Sequence, residues 1–358
     1  KRRTRASMAE EKGLGPLAEL IFSQKPSSAN LKDILLPYAQ PELGVNSPDE
    51  AKAGALDIIA QRIADDAQVR ALIRGISEKS GVLTSRCRLS VEDIEKLPPT
   101  KYEQYYDYSE PITRIPSHRV LAINRGEKEE ILQVSIAVPQ DKVFGALERH
   151  LIHRNENIFS DLLKEAYRDA YLRLLAPSLE RELRNQLTEA SEEQAIKIFA
   201  ANLRQLLLQP PVLGQRIMGI DPAYRTGCKI AILGSHGDLL HTTTIYPHAP
   251  QNRWQEATDE LLKLIEHYQV GLMAIGNGTA SRETEKLAAE VIKACPREVQ
   301  YIVTNEAGAS VYSASELARE ELPQLDVSLR GAVSIGRRIQ DPLAELVKID
   351  PGSIGVGQ

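Results

Sequence analysis

Apolar positions change their period several times along the chain. Over residues 1–110 the spacing is helical. Leu56, Ile59, Ala60 and Ile63 stand at i, i+3, i+4 and i+7 and predict one buried helix face. Ser47-Pro48-Asp49-Glu50 just before them supplies a cap, a first-turn proline and two acids at the positive end of the helix dipole. A second helix is predicted over residues 65–76, ending near Gly81. Residues 111–140 carry two β-branched runs, Arg119-Val120-Leu121-Ala122-Ile123 and a second from Ile131 to Val138, around polar Asn124-Arg125-Gly126-Glu127. That pattern predicts a β-hairpin ended by Pro139. Residues 141–211 return to helix: Leu179, Leu183 and Leu187 are four apart, and 195–208 repeats the pattern. Pro210-Pro211 and Gly214 mark a boundary.

Beyond it, strands alternate with helices. Strands are predicted at 216–221, 228–233 and 239–246, joined by short glycine-containing links, so the three should pair antiparallel. Then follow a helix at 253–268, a strand at 272–276, a helix at 282–294, a strand at 300–304 and a helix at 313–321. Ser313 and Glu316 stand in capping-box spacing in the last of these. A three-strand meander followed by α-β-α-β is the order of an RNase H-like fold, with right-handed parallel crossovers to strands four and five. The predicted whole is a multidomain α+β and α/β chain. It comprises a helical region over 1–110, a β-hairpin segment over 111–140, a helical region over 141–211, an RNase H-like mixed five-stranded sheet with flanking helices over 212–335, and the start of a further helical region over 336–358.

Composition narrows the class. The 358 residues are 42% apolar and 26% charged, which excludes a disordered tail, a collagen-like fibre and a membrane bundle. No apolar run approaches the roughly 18 residues that span a bilayer, and no signal peptide is evident, so no membrane role is expected. Lys and Arg total 44 against 49 Asp and Glu, a net charge of −5, so any nucleic-acid contact must sit in local patches. Cys87, Cys228 and Cys295 lie far apart with no CxxC, which argues against disulfides and zinc and fits a cytoplasmic protein. The chain opens on Lys1 rather than Met and reads as an internal piece of a longer protein.

The candidate chemistry sits on the α/β part. Asp221 ends the first strand at the carboxyl edge of the sheet, where ligand sites of such sheets lie. In an RNase H-like fold an acid there ligates Mg²⁺ or Mn²⁺, and two such ions can activate water against a phosphodiester. That chemistry needs more carboxylates at Asp221, and Glu306 and Asp341 are the candidates; a turn or helix-cap role is the plainer alternative for Asp221 and Asp341. After the fourth strand the expected acid is absent: Gly276-Asn277-Gly278-Thr279 stands there, a loop whose amides could hold a phosphate or simply turn the chain. No Walker loop occurs. Lys1-Arg2-Arg3-Thr4-Arg5 is a basic cluster suited to phosphates, or a solvated terminus. Tyr102, Tyr105, Tyr106 and Tyr108 could stack on bases but are better explained as packing between helices. His150 and His153 have HxxH spacing without a third ligand and fit a surface helix.

Longer motifs carry a resemblance. Ile220-Asp221-Pro222 with Arg225-Thr226-Gly227, the stretch Thr244 to His248, Ala274 to Thr284, Glu306 to Glu316 and Gln340 to Asp350 resemble the bacterial Tex family of transcription accessory proteins. Tyr106 to Pro111 and Ile115 to Arg119 resemble it too, so the likeness covers essentially the whole chain. It implies a helical Tex N-terminal-like region, a YqgF-type RNase H-like domain and the beginning of a helix-hairpin-helix region, with a C-terminal S1 domain lying outside the sequence. It further implies RNA or DNA as partner, RNA especially, alongside the transcription machinery. Nucleases of the YqgF type match Asp221, an acidic motif near Glu306 and a later acid like Asp341. Here Asn305-Glu306-Ala307 replaces their Asp-Glu-Arg, and Asn277 brings no charge. Fewer carboxylates weaken metal capture and charge stabilisation at the phosphate.

Three functions follow as expectations. The first is a nucleic-acid-binding scaffold contacting its partner through Lys1, Arg2, Arg3, Arg5, Arg225, Lys229, Asn277 and Arg282. The second is a Mg²⁺- or Mn²⁺-dependent nuclease using Asp221, Glu306 and Asp341. The third is a protein-docking module of the transcription machinery.

Overall fold

The structure, a computed structural model, describes residues 3–26, 29–89, 100–152 and 157–355. Lys1, Arg2 and His153 lie outside the described residues. The chain divides into two compact units, Lys1–Ala195 and Ile196–Gln358.

The first unit begins with α1 (Arg5–Glu11), α2 (Gly15–Ser23), α3 (Leu31–Leu35), α4 (Pro48–Asp65) and α5 (Ala67–Ser80). The Ser47 side chain accepts a hydrogen bond from Glu50 N–H with Pro48 in the first turn, as its sequence dictates, and Leu56, Ile59, Ala60 and Ile63 form the buried face. Asp66 breaks the run and caps α5 through Gln68 and Val69 N–H.

Region 1–110 is not all helical. Val82–Cys87 forms β1 and Asp107–Pro111 forms β2. With β3 (Leu132–Ala137) they build an antiparallel sheet of order β2-β1-β3, centred on β1. The predicted hairpin is corrected as well, because Arg119 to Ile123 lies in α6 (Ser117–Lys128) and only the second run is a strand. Val120, Ile123 and Gly126 are three apart and bury one helical face, which outweighs the β preference of the branched residues. Gly126 is needed there, since a Cβ would stand 2.6 Å from Leu132 Cδ1. The tyrosines pack around this sheet: Tyr102 and Tyr105 are buried, Tyr106 and Tyr108 half-buried. α7 (Gln140–Leu151), α8 (Ser160–Asp169) and α9 (Ala176–Leu207) follow, with a π-helical stretch Ala170–Leu175 before α9.

The second unit holds β4 (Ile217–Asp221), β5 (Cys228–Leu233), β6 (Leu239–Ile245), α10 (Trp254–Tyr268), β7 (Leu272–Gly276), α11 (Ser281–Ala294) and β8 (Gln300–Thr304). Then come α12 (Ala309–Ala314), α13 (Glu316–Glu321), α14 (Val327–Gln340) and α15 (Pro342–Leu346). The sheet order is β6-β5-β4-β7-β8. The meander is antiparallel, and β7 and β8 join it in parallel, as the element order predicts. β4 and β5 are buried throughout except at Asp221, as their mainly apolar runs predict, with Lys229 the one charge buried in β5. Met218, Ile220, Ile230 and Ile275 pack under α10 and α11. On the opposite face α14 lies close to β4: a Cβ on Gly219 would meet Ala332 O at 2.2 Å and Gly336 N at 3.0 Å.

The helix expected over 313–321 is two short ones. Ser315 is extended and accepts from Ala318 N–H, so it, not Ser313, is the cap; Ser313 Oγ instead donates to the Ser310 carbonyl.

Candidate functional site

Asp221 and Glu306 meet at the carboxyl edge of the parallel strands. Both line a cavity of about 550 Å³ with Ala309, Ser310, Ser313, Asp326 and Gly331. Asp221 ends β4 opposite Lys229 of β5. Its carboxylate lies against α14 where Gly331 leaves room, since a Cβ there would be 2.9 Å from Asp221 Oδ2. Glu306 lies in a matching notch: a Cβ on Gly276 would stand 2.3 Å from its Oε2, and one on Gly278 would stand 1.7 Å from its Oε1. Asn277 Oδ1 accepts from Glu306 N–H at 3.1 Å, and Asn277 N–H donates to Thr304 O, so the loop after β7 is tied to the end of β8. Burial first, and the Glu306 charge second, push the Asp221 carboxyl up to about 6, against an opposing pull from Lys229. The loop that could have held a phosphate thus has the carboxylate of its own chain against its glycines.

Asp341 stands apart from this cavity. Its carboxylate caps α15 by accepting from Ala344 N–H at 3.0 Å, and it lines a different cavity with His236 and Lys348. It follows the last residue of α14, whereas Asp326 at the other end of that helix reaches the Asp221 cavity. Asp326 caps α14 through Leu329 N–H, and its bonds from Ser328 and Leu329 hold its carboxyl below the usual range. The sequence signal for Asp326 was the cap pattern Asp326-Val327-Ser328 before an amphipathic helix.

Among the described residues no group of three or more His, Cys, Asp or Glu stands close enough to hold a metal ion. Glu306 Oε2 is buried without a hydrogen-bond partner, and Lys229 already supplies positive charge beside Asp221. Asp221, Glu306 wedged between glycines and Asp326 bound as a helix cap do not converge as the two-ion centre of phosphodiester hydrolysis needs.

The expected nucleic-acid contacts divide. Arg225, Asn277 and Arg282 are exposed and follow the carboxyl ends of the neighbouring strands β4 and β7. Lys229 is buried and donates to the Thr226 and Gly227 carbonyls, which commits it to the β4–β5 turn rather than to a phosphate. Arg3 and Arg5 are exposed on the first unit, where Arg3 pairs with Glu11 at 2.5 Å. His248, absent from the predicted set, is buried with Nε2 at 2.9 Å from Thr284 Oγ1 and braces the loop after β6 against α11.

Comparison with known proteins adds a family. Residues 215–340 match a family model described as the Tex protein YqgF-like domain, and residues 27–199 match one described as Tex central region-like. An uncharacterised protein YdcI of Bacillus subtilis (strain 168) is 50% identical over 358 residues, covering all of this chain and 49% of the relative. The transcriptional accessory protein Tex of Neisseria gonorrhoeae is 42% identical over 368 residues, covering all of this chain and 46% of the relative. The S1 RNA-binding domain-containing protein 1 of Homo sapiens is 38% identical over 367 residues, covering 99% of this chain and 36% of the relative. The chain spans about half the length of the bacterial relatives it matches.

Proposed function

Since the chain belongs to the Tex family, we propose that it is the nucleic-acid-handling part of a transcription accessory protein, with a non-catalytic RNase H-like sheet as scaffold. One observation carries the non-catalytic half: the three carboxylates that line the cavity, Asp221, Glu306 and Asp326, do not stand close enough together to share an ion, and Asp341 caps α15 elsewhere. Asp326 is besides held as the cap of α14 by Ser328 Oγ–H and Leu329 N–H. The names of relatives, a transcriptional accessory protein and an S1 RNA-binding domain-containing protein, support the nucleic-acid half. RNA is the favoured ligand. Exposed Arg225, Asn277 and Arg282 offer a short polar and basic rim on the sheet edge, and such a rim binds phosphates in a salt-dependent way. The protein acts inside the cell, alongside the transcription machinery.

The test is binding and cleavage in one tube. The chain is incubated with labelled single-stranded RNA, single-stranded DNA and a branched DNA, with Mg²⁺ or Mn²⁺, beside an Asp221→Asn variant. The proposal expects binding that weakens as salt rises, weaker binding for Arg225→Ala with Arg282→Ala, and no cleavage by either chain. Cleavage lost in Asp221→Asn would make this a nuclease. Neither binding nor cleavage would leave a protein-docking module.

A further inference from the structure

Among the described residues the outer strand β8 bonds to β7 and to no strand on its other side. Gln300 N–H donates to Gly271 O, and the Thr304 carbonyl accepts from Asn277 N–H. Bonding direction alternates along a strand, so the N–H and C=O of Tyr301 and Val303 face away from β7. Among the described residues no hydrogen bond reaches them. Edge strands are normally blunted by Lys, Pro, a bulge or a covering element. This one instead presents Tyr301, Ile302 and Val303, each 40–41% exposed.

Beside Ile302 lies an apolar cavity of about 360 Å³, with Leu206, Val212, Ile339 and Leu346 among its walls. Among the described residues Arg338 is the one ionisable side chain in that wall, and it is only 4% exposed. Its Nη1 donates to the carbonyls of Asn305 at 2.7 Å and Ala307 at 2.8 Å, while Nε and Nη2 have no partner. Glu345 and Glu306 attract it from longer range without a hydrogen bond to it: Glu345 Oε2 pairs with Lys348 at 3.0 Å, Glu306 sits in its glycine notch, and Glu345 Oε1 and Glu306 Oε2 are themselves buried without a partner. A buried cation with two open donors is costly until an acceptor arrives.

We propose that the free edge of β8 docks an extended, mainly apolar protein segment as a sixth strand, with an acidic side chain of that segment received by Arg338. Main-chain bonds to Tyr301 and Val303 give the affinity, and the cavity with its single positive charge selects the side chain. The inference stands apart from the nucleic-acid role, because it uses none of the same residues.

The test uses a fluorescein-labelled octapeptide of alternating valine and threonine with one central glutamate, titrated with the whole chain and read by anisotropy. Saturable binding is expected at micromolar concentration. Replacing the glutamate by glutamine should weaken it about tenfold, the size of a lost charge-assisted hydrogen bond. Val303→Pro removes one outward N–H, a change edge strands tolerate, and should weaken binding tenfold or more. N-methylating alternate peptide amides should abolish binding without touching the protein, which guards against a variant that misfolds. No binding up to ~1 mM, or binding indifferent to both N-methylation and Val303→Pro, overturns the proposal. So does sedimentation that finds a dimer for the native chain and a monomer for Val303→Pro, because the occupant would then be a second copy.

Discussion

The carboxylate of Glu306 occupies the space that a side chain at position 278 would need. A Cβ on Gly278 would stand 1.7 Å from Glu306 Oε1, well inside contact distance. Two residues 28 apart in sequence are thereby coupled through volume, in the loop that follows β7.

Gly278→Ala should therefore force Glu306 out of its notch and destabilise the second unit by about 1–3 kcal/mol, the usual cost of overpacking. Glu306→Ala frees that space. The double variant should lose less than the sum of the two single changes, by about 1 kcal/mol or more in a urea-denaturation cycle. Strict additivity would mean that the two positions do not contact.

Asp221 sets a pH dependence. Its folded carboxyl is pushed up from 3.8 to about 6, so between those values the folded state holds the proton more tightly than the unfolded one. Its contribution is full below about pH 4 and is lost as pH rises towards 6 and beyond. Asp221→Asn should be more stable than the native chain at pH 7.5 by about 2 kcal/mol and nearly level with it at pH 4. Melting curves at the two pH values check this. A carboxyl-carbon NMR titration of Asp221 with its midpoint below pH 4.5 would count against it.

Asp341 works as a cap. Asp341→Asn keeps an accepting oxygen for Ala344 N–H and should change stability by less than about 0.5 kcal/mol, whereas Asp341→Ala should cost about 1 kcal/mol. Equal losses in chemical denaturation would show that the charge, not the cap, matters.

Gly219 fixes how closely α14 approaches β4. Gly219→Ala would place a methyl 2.2 Å from Ala332 O, a backbone atom that cannot swing aside. The expected loss is roughly 3 kcal/mol or failure to fold, seen as a large fall in melting temperature. Gly145→Ala, half-buried on α7 with nothing near its Cβ, should instead be neutral or stabilising by up to about 1 kcal/mol.

What the sequence determined by itself was local. Caps and periods located the helix that Ser47 begins and the one that Asp66 begins, and apolar runs located all five strands of the second sheet in their order. Long motifs located the family. Local reasoning failed where two periods compete over a few residues. Val120 to Ile123 can be written as strand or as helix turn, and only Leu132 packing on Gly126 decides for helix. β1 was missed because Leu83 and Ser85 alternate too briefly to stand out before their partners β2 and β3 are known.

The site was decided almost wholly by tertiary structure. Sequence placed Asp221 and Glu306 at strand ends, and the sheet brought them together. It could not say which end of α14 would face them, so Asp341 was expected where Asp326 stands. Nor could it foresee that Gly278 would hold Glu306 or that Arg338 would be buried with two donors open. The reason is range: periodicity and capping act within about one helical turn. Which carboxylates share a cavity, by contrast, depends on packing between residues tens to a hundred positions apart.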